Sequence, residues 1–206
     1  MRKAVSKKAR KRASEFSRDE ILDAARMMFL HHGCEAVTIR KIAAAIHCAP
    51  GTIYLHFADK GEIFESLCSE TFQRLSARLA AIAGDDDDHP LECVRRGGRA
   101  YIAFALEHPS HYQVTFLTAK KGSGKKRHDN ILDAGLQCFG NLQRMVTSCA
   151  AAGCLRVNDV DEVSQVIWSS LHGLVSLLIT HAEFPFVEQS RLVERHLDIL
   201  IAGIRA

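Results

Sequence analysis

The chain has 206 residues, 47% of them hydrophobic and 25% charged, with a net charge of only +3, which is the mixture of an ordinary globular protein and excludes a disordered, collagen-like or supercharged chain. The charge is uneven: residues 1–70 hold 12 Lys/Arg against 9 Asp/Glu, and residues 71–206 hold 15 of each, so the basic excess lies in the N-terminal third and favours a polyanionic partner there. Seven cysteines (34, 48, 68, 93, 138, 149 and 154) with no C-x-x-C pair indicate neither a disulfide framework nor a zinc site, and fit reduced thiols in a cytoplasmic protein.

Residues 1–16 are basic and lack apolar periodicity, and no apolar run follows them, so they read as a disordered arm and not as a signal peptide. Such an arm either solubilises the chain or follows a phosphate backbone. Ser17 and Glu20 then form a capping box, and Ile21, Leu22, Ala25, Met28 and Phe29 make the buried stripe of a first helix that Gly33 ends. Ile39, Ile42, Ala43 and Ile46 give a second helix, with Arg40 and Lys41 on its open side. Pro50 starts a third, predicted to run to about Phe57, whose exposed residues are Thr52, Tyr54 and His56 instead of long charges. A tight turn between two short helices, the second opening on Gly51, predicts a helix-turn-helix with a recognition helix shaped for the major groove.

Asp59 and Glu62 form a second capping box, opening a fourth helix with Ile63, Phe64, Leu67, Phe72, Leu75 and Leu79 inward. At about 30 Å it is long enough to join two domains. The acidic run Asp85–Asp88 reads as a solvated loop. Pro90 starts a fifth helix that stops before Pro109, and a short helix passes through Tyr112, Phe116 and Leu117. Lys120–His128 is predicted as a mobile basic loop. It holds Gly122, Ser123, Gly124 and Lys125, yet neither the spacing nor the preceding strand of a phosphate loop is there. Ile131 to Cys149 forms a seventh helix that ends near Gly153, Asp159 caps an eighth, and a ninth follows Pro185. Val163–Thr180 is the most apolar stretch, but Gln165, His172 and several serines interrupt it, which argues against a membrane span. An eighth helix apolar around most of its circumference predicts a homodimer formed through the two C-terminal helices.

The ordered set of Gly33, Thr38, Arg40, Lys41, Ile42 and Ala43, then Pro50, Gly51, Thr52, Ile53, Tyr54, His56 and Phe57, then Asp59 and Lys60, resembles the TetR family of transcriptional regulators over roughly residues 17–65. Trp168, His172 and Gly173, with the segment His111–Phe116, look like the TetR C-terminal domain named for its Trp-His-Gly signature. The resemblance implies an all-α dimer of about nine helices: a basic arm (1–16), a three-helix DNA-binding domain (17–63), and a larger effector-binding and dimerisation domain (64–206). It implies a ligand-responsive repressor that binds a palindromic double-stranded DNA operator, with no enzymatic activity, cofactor or metal.

Carried over residue by residue, Thr38 caps helix two and meets a phosphate, Arg40 reads guanine and Lys41 serves the backbone. Pro50, Gly51, Thr52 and Leu55 approach bases or phosphate, while Tyr54, His56 and Lys60 hold phosphates. Two departures stand out. Ala49 replaces the usual Ser cap, at a cost of about 1 kcal/mol, and Pro50 occupies a position open to a base-reading side chain. Tyr101, Phe104, Phe116, Phe139, Met145, Trp168 and His172 are the candidates for an effector pocket, and an aromatic lining suits an apolar or planar ligand. An alternative keeps DNA binding and places a thiol sensor among Cys34, Cys48, Cys68 and Cys93, with Cys48 in the turn of the DNA-binding motif. A helical enzyme is a third reading, but no nucleophile, base and orienting acid fall in a recognisable arrangement.

Overall fold

The computed structural model describes residues 16–84, 89–118 and 125–206. The basic arm up to residue 15, the acidic run Asp85–Asp88 and residues 119–124 of the predicted basic loop lie outside the described residues. The described chain is all-α: α1 (Arg18–Ala36), α2 (Ile39–Ala45), α3 (Pro50–Ile53), α4 (Lys60–Ala83), α5 (Pro90–Glu107), α6 (Pro109–Tyr112) running into a π-helical turn (Gln113–Leu117), α7 (Lys125–Ala151), α8 (Val160–Thr180) and α9 (Gln189–Ile204). One isolated bridge, Leu155 with Arg205, is the only extended pairing among the described residues.

The helix ends follow their capping chemistry. Ser17 Oγ accepts the amide of Glu20 at 3.2 Å while Glu20 returns to the Ser17 amide at 2.6 Å. Gly33 interrupts α1 with φ 74° and ψ 157°, a conformation that suits a residue without Cβ. Asp59 accepts the amide of Glu62 at 3.1 Å, but Glu62 reaches back to Ala58 at 2.6 Å, one residue further than a simple capping box. His89 and Asp159 cap α5 and α8. α7 begins at Lys125, earlier than expected, so part of the predicted basic loop is helical.

The chain divides into two compact units, Met1–Thr71 with Ser110–Asp133, and Phe72–Pro109 with Ala134–Ala206. α4 and α7 each contribute one end to either unit. In the first unit Phe29 meets Phe64 edge to face at 5.7 Å, over a core of Ile21, Ile42, Ile53, Phe57, Ile63 and Leu67. In the second, α5 packs against α8 and α9. A Cβ on Gly98 would lie 2.9 Å from Leu197 Cδ2, and one on Gly97 would lie 2.7 Å from Met145 Sδ, so the two glycines set how closely α5 approaches its neighbours. Ion pairs from Arg99 to Glu194 at 2.8 Å and from Arg95 to Asp198 at 2.7 Å rim the contact between α5 and α9.

Candidate nucleic-acid interface

Thr38 is the N-cap of α2, and its Oγ1 accepts the amide of Lys41 at 3.2 Å. α2 ends in a reversal in which Cys48 N–H donates to Ala43 O at 2.9 Å and His47 N–H to Ala44 O at 3.2 Å. This is the Schellman pattern, and His47 fills its left-handed position with φ 55°, where glycine is favoured. Ala49, with no side-chain cap, then leads into Pro50 at the first position of α3.

α3 spans only Pro50–Ile53. The turn continues through Leu55 N–H to Thr52 O at 3.2 Å and Phe57 N–H to Ile53 O at 2.9 Å, so the reversal extends to Phe57 as expected although the α-helix is shorter. Ile53 and Phe57 are buried, which turns Pro50, Gly51, Tyr54 (56% exposed) and Leu55 (54% exposed) outward. Thr52 corrects the sequence reading: it is 7% exposed and its N–H donates to Ala49 O at 2.8 Å, because it stands beside Ile53 on the buried side of the turn. His56, also expected outward, is half-buried, and its Nε2 has no hydrogen-bond partner among the described residues.

Arg40 is exposed, and no hydrogen bond or ion pair engages it among the described residues. The two lysines are engaged. Lys41 Nζ donates to Ala36 O at 2.8 Å, and Lys60 Nζ donates to Cys34 O at 2.6 Å. Both cover the carbonyl end of α1, whose own last turn has no basic residue.

Arg127, in the first turns of α7, was not singled out in the sequence. Its Nη2 donates to Asp59 Oδ2 at 2.8 Å, its Nε lies 3.5 Å from Glu65 Oε2, and Asn130 donates to Glu65 at 2.6 Å. Partial burial raises the Asp59 carboxyl, but the Glu62 amide and the Arg127 guanidinium outweigh it and hold the group below the usual range. No local sequence signal pairs a residue in a basic stretch with a cap 68 positions away.

Of the effector candidates, Phe116 belongs to the first unit, where it packs on Tyr112 at 4.9 Å, and the other six belong to the second. There Phe139, Trp168 and His172 form a contact series with ring centroids 6.0 and 5.8 Å apart, and Tyr101 Oη lies 3.3 Å from His172 Nδ1. Phe104 and Met145 are buried, whereas Trp168 is 41% exposed. Burial pushes the Cys34 and Cys48 thiols up, away from the reactive thiolate, which disfavours a sensor at the turn of the motif.

Residues 21–67 match the profile described as bacterial regulatory proteins, tetR family, and residues 94–200 match that described as tetracyclin repressor-like, C-terminal domain. The second description names no Trp-His-Gly type, so the subtype expected from Trp168, His172 and Gly173 is not confirmed by it. The chain is 36% identical over 200 residues to the HTH-type transcriptional repressor AcnR of Corynebacterium diphtheriae, covering 92% of each chain. Its matches to the AcnR proteins of Corynebacterium efficiens and Corynebacterium glutamicum span only 34% and 35% of those relatives. The solved structure of the ketosteroid transcriptional regulator KstR2 of Mycobacterium tuberculosis superposes with a TM-score of 0.75 at 25% identity, over 92% of this chain and 95% of that one. A tetR-family regulatory protein from Rhodococcus has a TM-score of 0.79 at 19% identity, covering 92% and 98% of the two chains, which shows the shared fold.

Proposed function

The chain belongs to the TetR family of bacterial regulatory proteins, and from that premise we propose that it is a repressor that binds a palindromic operator as a homodimer and releases it when a small apolar effector binds. The observation that carries this reading is the outward edge of Pro50, Gly51, Tyr54 and Leu55 beside the unengaged Arg40. Small and amphipathic groups let the backbone approach base edges, while Arg40 supplies the planar fork that reads guanine. Thr38, Tyr54, His56, Lys41 and Lys60 serve the phosphate backbone. Each lysine ammonium has three donors, so the bonds of Lys41 and Lys60 to α1 carbonyls leave at least one free for a phosphate oxygen. Thr52, at 7% exposure, is assigned to packing of the motif.

The DNA-binding domain is taken as residues 17–63 and the effector-binding and dimerisation domain as 64–206, with the basic arm of residues 1–16 in front. α8 and α9 provide the dimer surface, since Val166, Leu177 and Ile199 are exposed large hydrophobics on those helices. Tyr101, Phe104, Phe139, Met145, Trp168 and His172 favour an apolar or planar ligand, a class consistent with the ketosteroid named in the description of the KstR2 structure. Selection of bound DNA from a random pool tests the reading. It should yield an inverted repeat whose half-sites are about one helical turn, roughly 34 Å, or a multiple of it apart. An asymmetric site or no enrichment would reject it. Effector candidates are then scored by operator release, and a ligand that binds tightly without changing operator affinity would reject the release mechanism.

A further inference from the structure

The end of α7 brings two cysteines together. Gly153 adopts φ 67°, its N–H donates to Ala150 O at 3.0 Å, and Cys154 N–H donates to Cys149 O at 2.9 Å. These bonds define a Schellman motif with Cys149 three positions before the cap and Cys154 two positions after it, the pair of positions whose side chains commonly touch in this motif. With standard bond lengths, the 2.9 Å bond keeps the two Cα atoms no more than about 6.8 Å apart, which does not exceed the roughly 6.8 Å upper end of what a disulfide spans. The Cys149 thiol also feels the electrostatic influence of Cys154 and Cys93. Cys149 and Cys93 are buried and Cys154 is half-exposed; Cys93 Sγ donates to Ile82 O at 3.4 Å, and Cys154 Sγ lies farther, at 3.7 Å, from Ala152 O in its own turn.

We propose that Cys149 and Cys154 form a dithiol site that a hydroperoxide closes to an intramolecular disulfide, giving the chain an oxidation-sensitive site in addition to its effector response. The Cys154 sulfur, on the less buried residue of the two, attacks the O–O bond of hydrogen peroxide. An S–O bond forms, the O–O bond breaks and one water leaves, so Cys154 becomes a sulfenic acid. Cys149 then attacks that sulfur: the S–S bond forms, the S–O bond breaks and a second water departs. Two thiols have lost two electrons and two protons, and one peroxide has become two waters. Burial holds the Cys149 thiol up at about 12, so Cys149 is assigned the resolving role and Cys154 the one that meets the peroxide. The geometry also gives the disulfide a place to act. Cys154 O accepts the N–H of Ala206 at 2.9 Å, and Arg156 N–H donates to Ile204 O at 2.9 Å, so the turn that carries Cys154 is tied to the end of α9.

The test uses the full chain, reduced, freed of reductant and exposed to hydrogen peroxide, followed by alkylation of remaining thiols under denaturing conditions and peptide mass mapping. A single peptide holding both Cys149 and Cys154, two hydrogens lighter and resistant to alkylation, is expected in the parent and in Cys93→Ser, and not in Cys154→Ser. Cys154 is half-exposed, so Cys154→Ser should fold, which unchanged helicity and operator binding would verify. Three results would overturn the proposal: Cys149 still alkylatable while Cys154 is over-oxidised, a cross-link between Cys149 and Cys93, or no oxidation at either residue.

Discussion

The ammonium group of Lys60, the first residue of α4, donates to the carbonyl oxygen of Cys34 at 2.6 Å. Glu35 O lies 3.5 Å away, and Lys41 covers Ala36 O at 2.8 Å, so two lysines from later helices close the carbonyl end of α1. A hydrogen bond from a charged donor contributes about 1.5–3 kcal/mol, so Lys60→Met should destabilise the folded chain by roughly that amount in urea titration. The same variant should lower the slope of log affinity against log salt by about one, because the remaining donor is assigned to a phosphate. Loss of stability with an unchanged slope would confine Lys60 to capping.

Arg40 should behave in the opposite way. It is exposed and outside any recorded ion pair among the described residues, so Arg40→Ala should leave stability within about 0.5 kcal/mol. Specific operator affinity should fall by about 1–3 kcal/mol, and discrimination should relax at a single base pair of each half-site. Binding of parent and variant to an operator series substituted at each position checks both effects. An equal loss at every position would reassign Arg40 to phosphate.

The sequence carried what is local. Ser17 with Glu20, Thr38, Asp59 and Asp159 announced helix starts because a cap is made by a side chain and an amide three residues away, and Pro50 did so through its fixed φ and missing N–H. Gly33 announced a break because its positive φ suits a residue without Cβ. Thr52 was misread because four helical residues are too few for a period of 3.6 to define a face, and burial there is decided by what α3 packs against. The Lys60–Cys34 and Arg127–Asp59 pairs join residues 26 and 68 positions apart, and His47 adopts a glycine-like conformation without being glycine. None of these leaves a local trace. The aromatic candidates were legible as helix residues, but sequence spacing could not place Phe116 in a different unit from the other six.

Leu177 on α8 is 48% exposed, and Val166 and Trp168 are exposed on the same helix. Leu177→Glu should leave the protomer's fold intact but put a carboxylate into the apolar contact proposed between copies. Desolvating that charge should weaken the dimer by about 3 kcal/mol or more, roughly a hundredfold. Sedimentation across a concentration series should show monomer where the parent is dimeric, with operator affinity reduced in parallel. A dimer of unchanged strength would move the interface off this face.

Acidification should destabilise the fold in two stages. Burial lowers the basicity of His172, beside Tyr101 Oη at 3.3 Å, and of His196, whose Nε2 lies 2.9 Å from Ser170 Oγ. Both histidines therefore protonate more readily in the unfolded chain. Their effect is absent above the unfolded pKa of about 6.5, and stability falls as the pH drops through that value, by at most about 1.4 kcal/mol per pH unit for each. Glu194 is held down first by its hydrogen bond to Arg99, and its contribution is lost only below the usual carboxylate range. Melting temperatures from about pH 7.5 to about pH 5.5 should fall, and replacing both histidines with asparagine should flatten the profile. An unchanged slope in the double variant would assign the titration elsewhere.

His47 offers a change in the other direction. It sits in the turn between α2 and α3 with φ 55°, exposed, while Cys48 N–H and His47 N–H satisfy the last carbonyls of α2. For an L-residue with a Cβ this conformation costs about 1–2 kcal/mol, and glycine gives back part of the gain through its freedom in the unfolded chain. His47→Gly should therefore raise stability by about 0.5–1 kcal/mol, measured by urea titration. The backbone of the turn is unchanged by the substitution, so Gly51, Tyr54 and Leu55 keep their presentation and operator affinity should stay the same. A stabilised variant with weaker operator binding would mean that the imidazole itself reaches the DNA and that the strained conformation is kept for that contact.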